Sequence, residues 1–149
     1  ATGFFHSACA SRAWVRRMID ERPFASVDEL LTTAEYTFGH LGEGDWLEAF
    51  SGHPRIGERG DATANREQAG TATASRETIR DLIDVNRRYE DKFGFTYIVY
   101  ATGKTADVML GIARDRLEND EEQEIALAAG EQRKITANRL RRMLCQEVK

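Results

Sequence analysis

A histidine directly before a proline is the first feature of this sequence that could do chemistry. The stretch SGHPRIGERG, residues 51–60, places His53 before Pro54 in a segment of glycine and charge. Proline fixes its own φ angle and biases the preceding residue toward an extended backbone, so the imidazole projects from a restricted position. An imidazole titrates near neutral pH and suits general acid or base catalysis. Spacing alone also fits an ordinary loop histidine, so both readings stay open.

Two further polar features could bind a ligand. Glu67 and Gln68 pair a carboxylate with a carboxamide, which could hold a polar heterocycle or a ureide, although solvated surface polarity explains most such pairs. On the last predicted helix, Arg139 lies roughly 40° from both Ile135 and Met143, inside the apolar arc. An arginine there needs an anion. That anion is either a protein carboxylate in a structural salt bridge or part of a ligand.

No metal or phosphate motif is complete in the sequence. The stretch ATGKTA, residues 101–106, imitates the end of a phosphate-binding loop, but the full pattern needs a glycine five positions before Gly103, where Ile98 stands. Cys9 and Cys145 form no C-x-x-C pair and have no histidine at metal-ligand spacing. The sequence therefore offers no metal or cofactor motif, and we favour two reduced, partly buried thiols.

Composition limits the class of protein. The chain has 149 residues, 41% hydrophobic and 31% charged, with a formal net charge of -4. This balance is typical of one globular domain, and no apolar run approaches the roughly 20 residues of a membrane span. An acidic chain gives no field that attracts nucleic acid. We expect a cytoplasmic protein, because the first residues lack the pattern of a signal peptide, with no membrane or nucleic-acid partner.

Apolar residues recur at helical spacing along most of the chain. Serine, threonine and aspartate stand before several of these periods as helix N-caps. The predicted helices cover residues 4–20, 26–38, 45–50, 75 to about 94, 105–117 and 120 to about 145.

One segment breaks the helical pattern. The stretch FGFTYIVYAT, residues 93–102, is rich in aromatic and β-branched residues, which favour a strand. No second segment of similar character could pair with it. The sequence therefore predicts an all-α fold, a compact single-domain helical bundle with an extended buried connector near residues 94–101.

Five motifs in chain order resemble one known family. They are CASRAW, HPRIGE, EQAG, YEDKFGF and RLENDEEQEIALAAGEQRKITANRLRRML, and they run from about Cys9 to Cys145. Together they resemble the 2-oxo-4-hydroxy-4-carboxy-5-ureidoimidazoline (OHCU) decarboxylases, which complete urate breakdown to (S)-allantoin. The chain departs from the family at Thr96, where proline is usual, and at Ala64, where serine is usual.

The resemblance implies an all-helical, cofactor-free carbon–carbon lyase that acts on a small ureidoimidazoline and is generally a homodimer. It implies that His53 is catalytic and that Glu67 hydrogen-bonds the substrate or exchanges protons with it. Arg139 would bind the substrate's anionic or carbonyl oxygens. The resemblance also places the following residues along the substrate site: Pro54, Ala64, Asn65, Arg66, Gln68, Phe95, Thr96, Tyr97, Ile98 and Val99.

Two other functions stay open beside the decarboxylase. One is a non-catalytic helical interaction module, in which Arg139 forms a structural ion pair and the His-Pro loop contacts a partner. The other is a related decarboxylase with an altered substrate, which the departures at Thr96 and Ala64 allow.

Overall fold

The computed structural model describes residues 1–55 and 75–148, and within them it contains seven α-helices and no strand. The all-α prediction is confirmed. None of the described helices is long and apolar enough to cross a membrane. The helices are α1 Thr2–Ala8, α2 Arg12–Asp20, α3 Val27–Gly39, α4 Glu43–Ser51, α5 Arg76–Phe93, α6 Ala106–Arg116 and α7 Glu121–Val148.

The helix starts follow the predicted capping residues. Side-chain oxygens of the N-caps accept backbone N–H bonds from the first turn, which satisfies donors that have no partner inside the helix. At α7 the cap is reciprocal: Asp120 accepts the Gln123 N–H at 2.8 Å, and Gln123 accepts the Asp120 N–H at 3.1 Å. The other predicted caps with this bond are Ser26, Ser75 and Thr105.

The predicted helix over residues 4–20 is interrupted, and this part of the prediction is wrong. Cys9 ends α1 in an extended conformation, and α2 begins after Ser11. The Ser11 hydroxyl accepts the Trp14 N–H at 3.3 Å, so a serine inside the apolar pattern acts as a new N-cap. The spacing of apolar residues continues across the break, because each of the two short helices buries an apolar face.

The described residues divide into two compact units. The N-terminal unit comprises residues 1–52 with the part of α7 from Ala129 on, and in it α2 packs against α1, α3 and α4. Its core contains Trp14, Phe38 and Phe50, none more than 2% exposed. The Trp14 indole donates to the Ala34 carbonyl at 3.1 Å, which satisfies its buried N–H. The single-domain prediction stays a prediction.

The central unit comprises residues 53–128, and helices α5 and α6 run parallel in it. Near their starts Thr78 donates to Asp107 at 3.0 Å, and near their ends the Lys92 ammonium donates to the Leu117 carbonyl. Parallel neighbours need a return segment, and residues 94–105 provide it. The segment leaves α5 at Gly94, whose φ of 83° is left-handed and favours glycine.

The return segment contains the predicted connector, and that prediction is confirmed. Residues 96–100 have no regular secondary structure, and most of their side chains are buried. Their aromatic and β-branched side chains serve packing rather than strand pairing, because the described part of the chain offers no partner strand. Tyr97 shows how its polar groups are satisfied: its hydroxyl donates to the Met109 carbonyl on α6 at 3.0 Å.

Candidate active site

The segment that carries the candidate histidine begins where α4 ends. Gly52 is the C-cap of α4, and a Cβ built on it would lie 2.6 Å from the Cβ of Ala10. Such an approach excludes any larger residue, so the backbone directly before His53 is fixed by contact with the α1–α2 junction. His53 and Pro54 are each half-buried. A half-buried imidazole is both oriented and accessible, as a general acid or base requires.

Arg55 ties this segment to α5. Its Nε donates to Oε1 of Glu90 at 2.7 Å, with side-chain exposures of 57% and 22%. The same Oε1 accepts the side-chain N–H of Asn86 at 3.5 Å, one helical turn earlier. One oxygen of the Glu90 carboxylate therefore accepts hydrogen bonds both from the His53-Pro54-Arg55 segment and from Asn86 on α5.

Asn86 in turn holds the connector. Its side-chain oxygen accepts the Tyr97 N–H at 3.0 Å and the Thr96 hydroxyl at 3.3 Å. Asn86 is 2% exposed, and a buried amide needs such partners because leaving it unsatisfied is costly. The Tyr97 N–H is thus bound within the protein. The predicted segment Phe95–Val99 therefore has one fewer backbone donor for a substrate.

A buried charge network holds the connector from the α6 side. Arg116 donates through Nη1 to the Ile98 carbonyl at 2.6 Å and through Nε to Glu124. Glu124 also accepts the Tyr89 hydroxyl at 2.6 Å and the Asn119 amide at 3.0 Å. The Arg116 and Glu124 side chains are 8% and 0% exposed. Every oxygen of the carboxylate is used, which is what a buried ion pair needs to be tolerated.

Tyr89 stays a hydrogen-bond donor in this network. Burial raises the pKa of its hydroxyl far above the usual value, the hydrogen bond to Glu124 raises it further, and the charge of Arg116 acts in the opposite direction. The hydroxyl therefore keeps its proton at any pH at which the protein is handled. The Arg116 guanidinium also lies 4.9 Å from the Tyr97 ring centre and 5.7 Å from that of Tyr89.

The exposures of the predicted connector residues divide them into two kinds. Phe95, Tyr97, Ile98 and Val99 are at most 8% exposed and form an apolar layer within the central unit. Thr96 is half-buried. A threonine keeps a hydroxyl donor that a proline at this position would lack, and that donor binds Asn86.

Arg139 lies in the N-terminal unit on the core-facing side of α7, as its helical position predicted. It is half-buried between the buried residues Ile135 and Leu140, and its Nη1 donates to the Ala8 carbonyl at 3.5 Å. Cys9 lies beside it, and burial raises the pKa of this thiol to about 11 although the charge of Arg139 acts to lower it. Cys9 is thus a neutral packing residue rather than a nucleophile.

Several predicted site residues lie outside the described residues: Ala64, Asn65, Arg66, Glu67 and Gln68. The role of the Glu67 carboxylate therefore stays a prediction, and so does the convergence of His53, Glu67 and Arg139 on one cavity. Within residues 1–55 and 75–148, no group of three histidine, cysteine, aspartate or glutamate residues could hold a metal ion.

Four residues that position the predicted site were missed in the sequence. Asn86 had a usable signal, because it falls within the buried face of α5 formed by Leu82, Val85 and Tyr89, the same test that singled out Arg139. Glu90 lies one turn further on. The remaining missed residues, whose partners are distant in sequence and therefore left no local signal, are Arg116 and Glu124.

The fold of the chain matches that of a solved protein. The chain superposes on a solved OHCU decarboxylase, crystallised in the presence of (S)-allantoin, with a TM-score of 0.86 and 34% identity, covering 93% of this chain and 95% of that one. The family model described as OHCU decarboxylase matches residues 1–141. The chain belongs to the OHCU decarboxylase family.

Two curated relatives agree with this assignment. The uric acid degradation bifunctional protein TTL of Arabidopsis thaliana is 33% identical over 150 residues, which cover 95% of this chain and 46% of the relative. This chain thus spans about half the length of that bifunctional protein. The 2-oxo-4-hydroxy-4-carboxy-5-ureidoimidazoline decarboxylase of Halalkalicoccus jeotgali is 31% identical over 135 residues, which cover 85% of this chain and 75% of the relative.

Proposed function

We propose that this protein is a carbon–carbon lyase that decarboxylates OHCU to (S)-allantoin and CO2 in urate breakdown. The observation that carries the proposal is a half-buried His53-Pro54 step, held by Arg55 to α5, in a chain that matches the family model over residues 1–141. The likeness to a decarboxylase crystallised with (S)-allantoin supports the same product.

The chemistry of this substrate accounts for a site built from side chains. The carboxylate is attached to a carbon next to a ring C=N group, so the electron pair released with CO2 delocalises onto that nitrogen. The substrate therefore supplies its own electron sink. The protein must orient the carboxylate for loss, stabilise the enol-like intermediate and protonate one face of the ureido-bearing carbon.

In this proposal three side chains have distinct roles. His53 handles the proton of the substrate hydroxyl, which must leave as the carbonyl of allantoin forms. Glu67 and Arg139 hold the ring, with Arg139 binding anionic or carbonyl oxygens and Glu67 hydrogen-bonding the substrate or exchanging protons with it. A single bound orientation then exposes one face to the proton donor, so one enantiomer results.

The direct test uses substrate generated freshly from urate. Its decay is followed optically, and circular dichroism detects optically active allantoin. We expect the protein to accelerate the decay and to give the S enantiomer. His53→Ala removes the general acid or base, which is typically worth about 10²–10⁴-fold in rate. We expect the variant to lose about that factor in turnover and to keep the helical content of the unmodified protein.

The matched control is His40→Ala. His40 follows α3, is exposed and stacks on Tyr36 with ring centres 4.0 Å apart, so the variant loses an imidazole to which the proposal gives no role. Near wild-type turnover by folded His53→Ala would make the histidine assignment wrong. Unchanged spontaneous decay with the unmodified protein would instead reject the lyase and favour a non-catalytic interaction module.

The state in which the protein works belongs to the same proposal. We infer a homodimer, because the resemblance to the family implies one. Sedimentation of the unmodified protein at micromolar concentration tests the dimer directly. A monomer that retains full activity would show that the site is complete within one chain.

A further inference from the structure

Two residues one turn apart on α5 hold the two segments of the central unit on which the proposed reaction depends. We propose that Asn86 and Glu90 are positioning residues that couple the placement of His53 to the placement of the connector, so that neither segment moves alone. The inference rests on the proposed function for its kinetic test. It extends that function to residues that do not touch the substrate.

The connector side of the coupling is made by one amide oxygen. It accepts both the Tyr97 N–H at 3.0 Å and the Thr96 hydroxyl at 3.3 Å. Asn86 is 2% exposed, so water cannot replace it as the acceptor for these two groups. The position of the connector backbone at Thr96 and Tyr97 is therefore set by the rotamer of Asn86.

The histidine side of the coupling is made by one carboxylate oxygen. Oε1 of Glu90 accepts Arg55 Nε at 2.7 Å, and Arg55 is separated from His53 only by Pro54. The fixed φ angle of proline limits how far this short segment can bend. An anchor at Arg55 therefore restrains the direction in which the His53 side chain projects.

The two sides meet at a shared atom. The Asn86 amide donates to the same Glu90 Oε1 at 3.5 Å, the longest contact of the set. Residues four apart on a helix face each other, so the contact needs no change of backbone. If Glu90 turns away from Arg55, Asn86 loses its amide partner and its oxygen no longer faces Thr96 and Tyr97.

The kinetic test compares three variants with a control on the same helix. Glu90→Gln weakens the Arg55 contact, Asn86→Ala removes the connector acceptor, and the double variant does both. A displacement of about 1 Å can cost about 10²-fold in rate, and we expect each single variant to lower kcat by about 10- to 100-fold. The control Asp84→Asn removes an equal charge from an exposed α5 ion pair with Arg88 and should leave kcat within about twofold.

Coupling is decided by the double variant. If both residues act through one link, Asn86→Ala combined with Glu90→Gln is about as slow as the slower single variant, because the link is already broken. A double variant slowed by the product of the two single effects overturns the coupling, as does a kcat for Glu90→Gln that equals the wild-type value. KM is measured alongside, since a loss of binding alone would leave kcat unchanged.

A readout independent of turnover separates this inference from the proposed function. The NMR signals of the His53 ring should shift in Asn86→Ala, and the Tyr97 amide should exchange faster with solvent, while Asp84→Asn changes neither. Asn86→Asp serves if the alanine variant does not fold: it keeps the acceptor for Tyr97, repels Glu90 and should still shift the His53 signals. Unmoved His53 signals in all variants would reject the link. An unmodified protein without decarboxylase activity would reject the function alone.

Discussion

The connector and the His53-Pro54-Arg55 segment are held in opposite ways. The connector is fixed by groups removed from water: Asn86 binds its Tyr97 N–H, and Arg116 binds its Ile98 carbonyl while paired with a fully buried Glu124. The His-Pro segment follows an exposed glycine and is anchored by an ion pair whose arginine is 57% exposed.

Because of this difference, the connector depends on the stability of the whole central unit more than the His-Pro segment does. Buried charges are tolerated only when every partner is present. Loss of one partner should therefore destabilise the connector and the core of the central unit together. An exposed ion pair contributes little to folding but can still fix an angle. We expect damage to the connector's supports to lower the free energy of unfolding, and damage to the His-Pro anchors to lower turnover first.

The largest expected effect is that of Arg116→Met. It leaves Glu124 charged and fully buried without its cation, and breaking such a pair typically costs about 3–5 kcal/mol. The comparison variant Arg55→Met removes a mostly exposed cation and should cost at most about 1 kcal/mol. Urea unfolding followed by circular dichroism measures both. Equal losses would break the contrast between the two regions.

A double variant sharpens this prediction. Arg116→Met combined with Glu124→Leu removes both charges, so no ion is left unpaired, and the loss should be smaller than that of Arg116→Met alone. The Tyr89 hydroxyl and the Ile98 carbonyl would still lose partners, which prevents full recovery. A double variant less stable than the single would mean that packing, rather than charge, dominates the network.

The next largest effect concerns Gly52. Gly52→Ala brings a methyl group to 2.6 Å from the Cβ of Ala10, and both atoms are attached to the backbone, so the chain must shift at a cost of about 1–3 kcal/mol. Because His53 follows directly, turnover should fall as well. Gly44→Ala is the matched control, since its Cβ would meet nothing within 4 Å and alanine favours the α4 helix.

Reversal tests the cause of the Gly52 effect. Ala10→Gly removes the opposing methyl group, so the pair Ala10→Gly with Gly52→Ala should recover most of the stability that Gly52→Ala loses. No recovery would show that the clash with Ala10 is not responsible.

Much of the fold was predictable because its signals are local. Ser26, Ser75, Thr105 and Asp120 start helices by bonding their own first turns, and the sequence shows both partners of each bond. The helix break at Ser11 used the same chemistry but was hidden, because the apolar period continues across it. A single residue that acts as a cap inside a continuous pattern gives no signal to a periodicity argument.

The sequence singled out candidate site residues but not the residues that hold them in place. Residue type and spacing drew attention to the His-Pro step, Arg139 and the connector, and their roles toward a substrate stay predictions. The Gly52 approach to Ala10 joins residues far apart in sequence, and the Arg116 contact with Ile98 joins a helix to an irregular segment. Such contacts depend on the folded path of the chain, which composition and periodicity do not contain.

The smallest expected effect is that of Glu48→Gln, on the helix that ends at Gly52. Glu48 accepts the Arg12 backbone N–H at 2.6 Å and Arg12 Nε at 2.9 Å, so it joins α4 to the start of α2. The Arg12 side chain is 82% exposed, which limits the loss to about 1 kcal/mol at pH 7. Loss of this exposed contact should therefore lower the unfolding free energy about as little as Arg55→Met does, and much less than Arg116→Met does.

The pKa of Glu48 determines how the stability difference between wild type and Glu48→Gln changes with pH. The hydrogen bonds from the Arg12 backbone and then from its side chain hold the pKa of Glu48 below its usual value of 4.5. A lowered pKa stabilises the fold above the unfolded-state pKa, and the stabilisation is lost as pH falls through the folded-state value. The difference in unfolding free energy between wild type and Glu48→Gln should therefore be constant above about pH 5.5 and shrink below pH 4.5. A difference that grows on acidification would contradict the assignment, and Glu35→Gln, an exposed carboxylate on α3, serves as control.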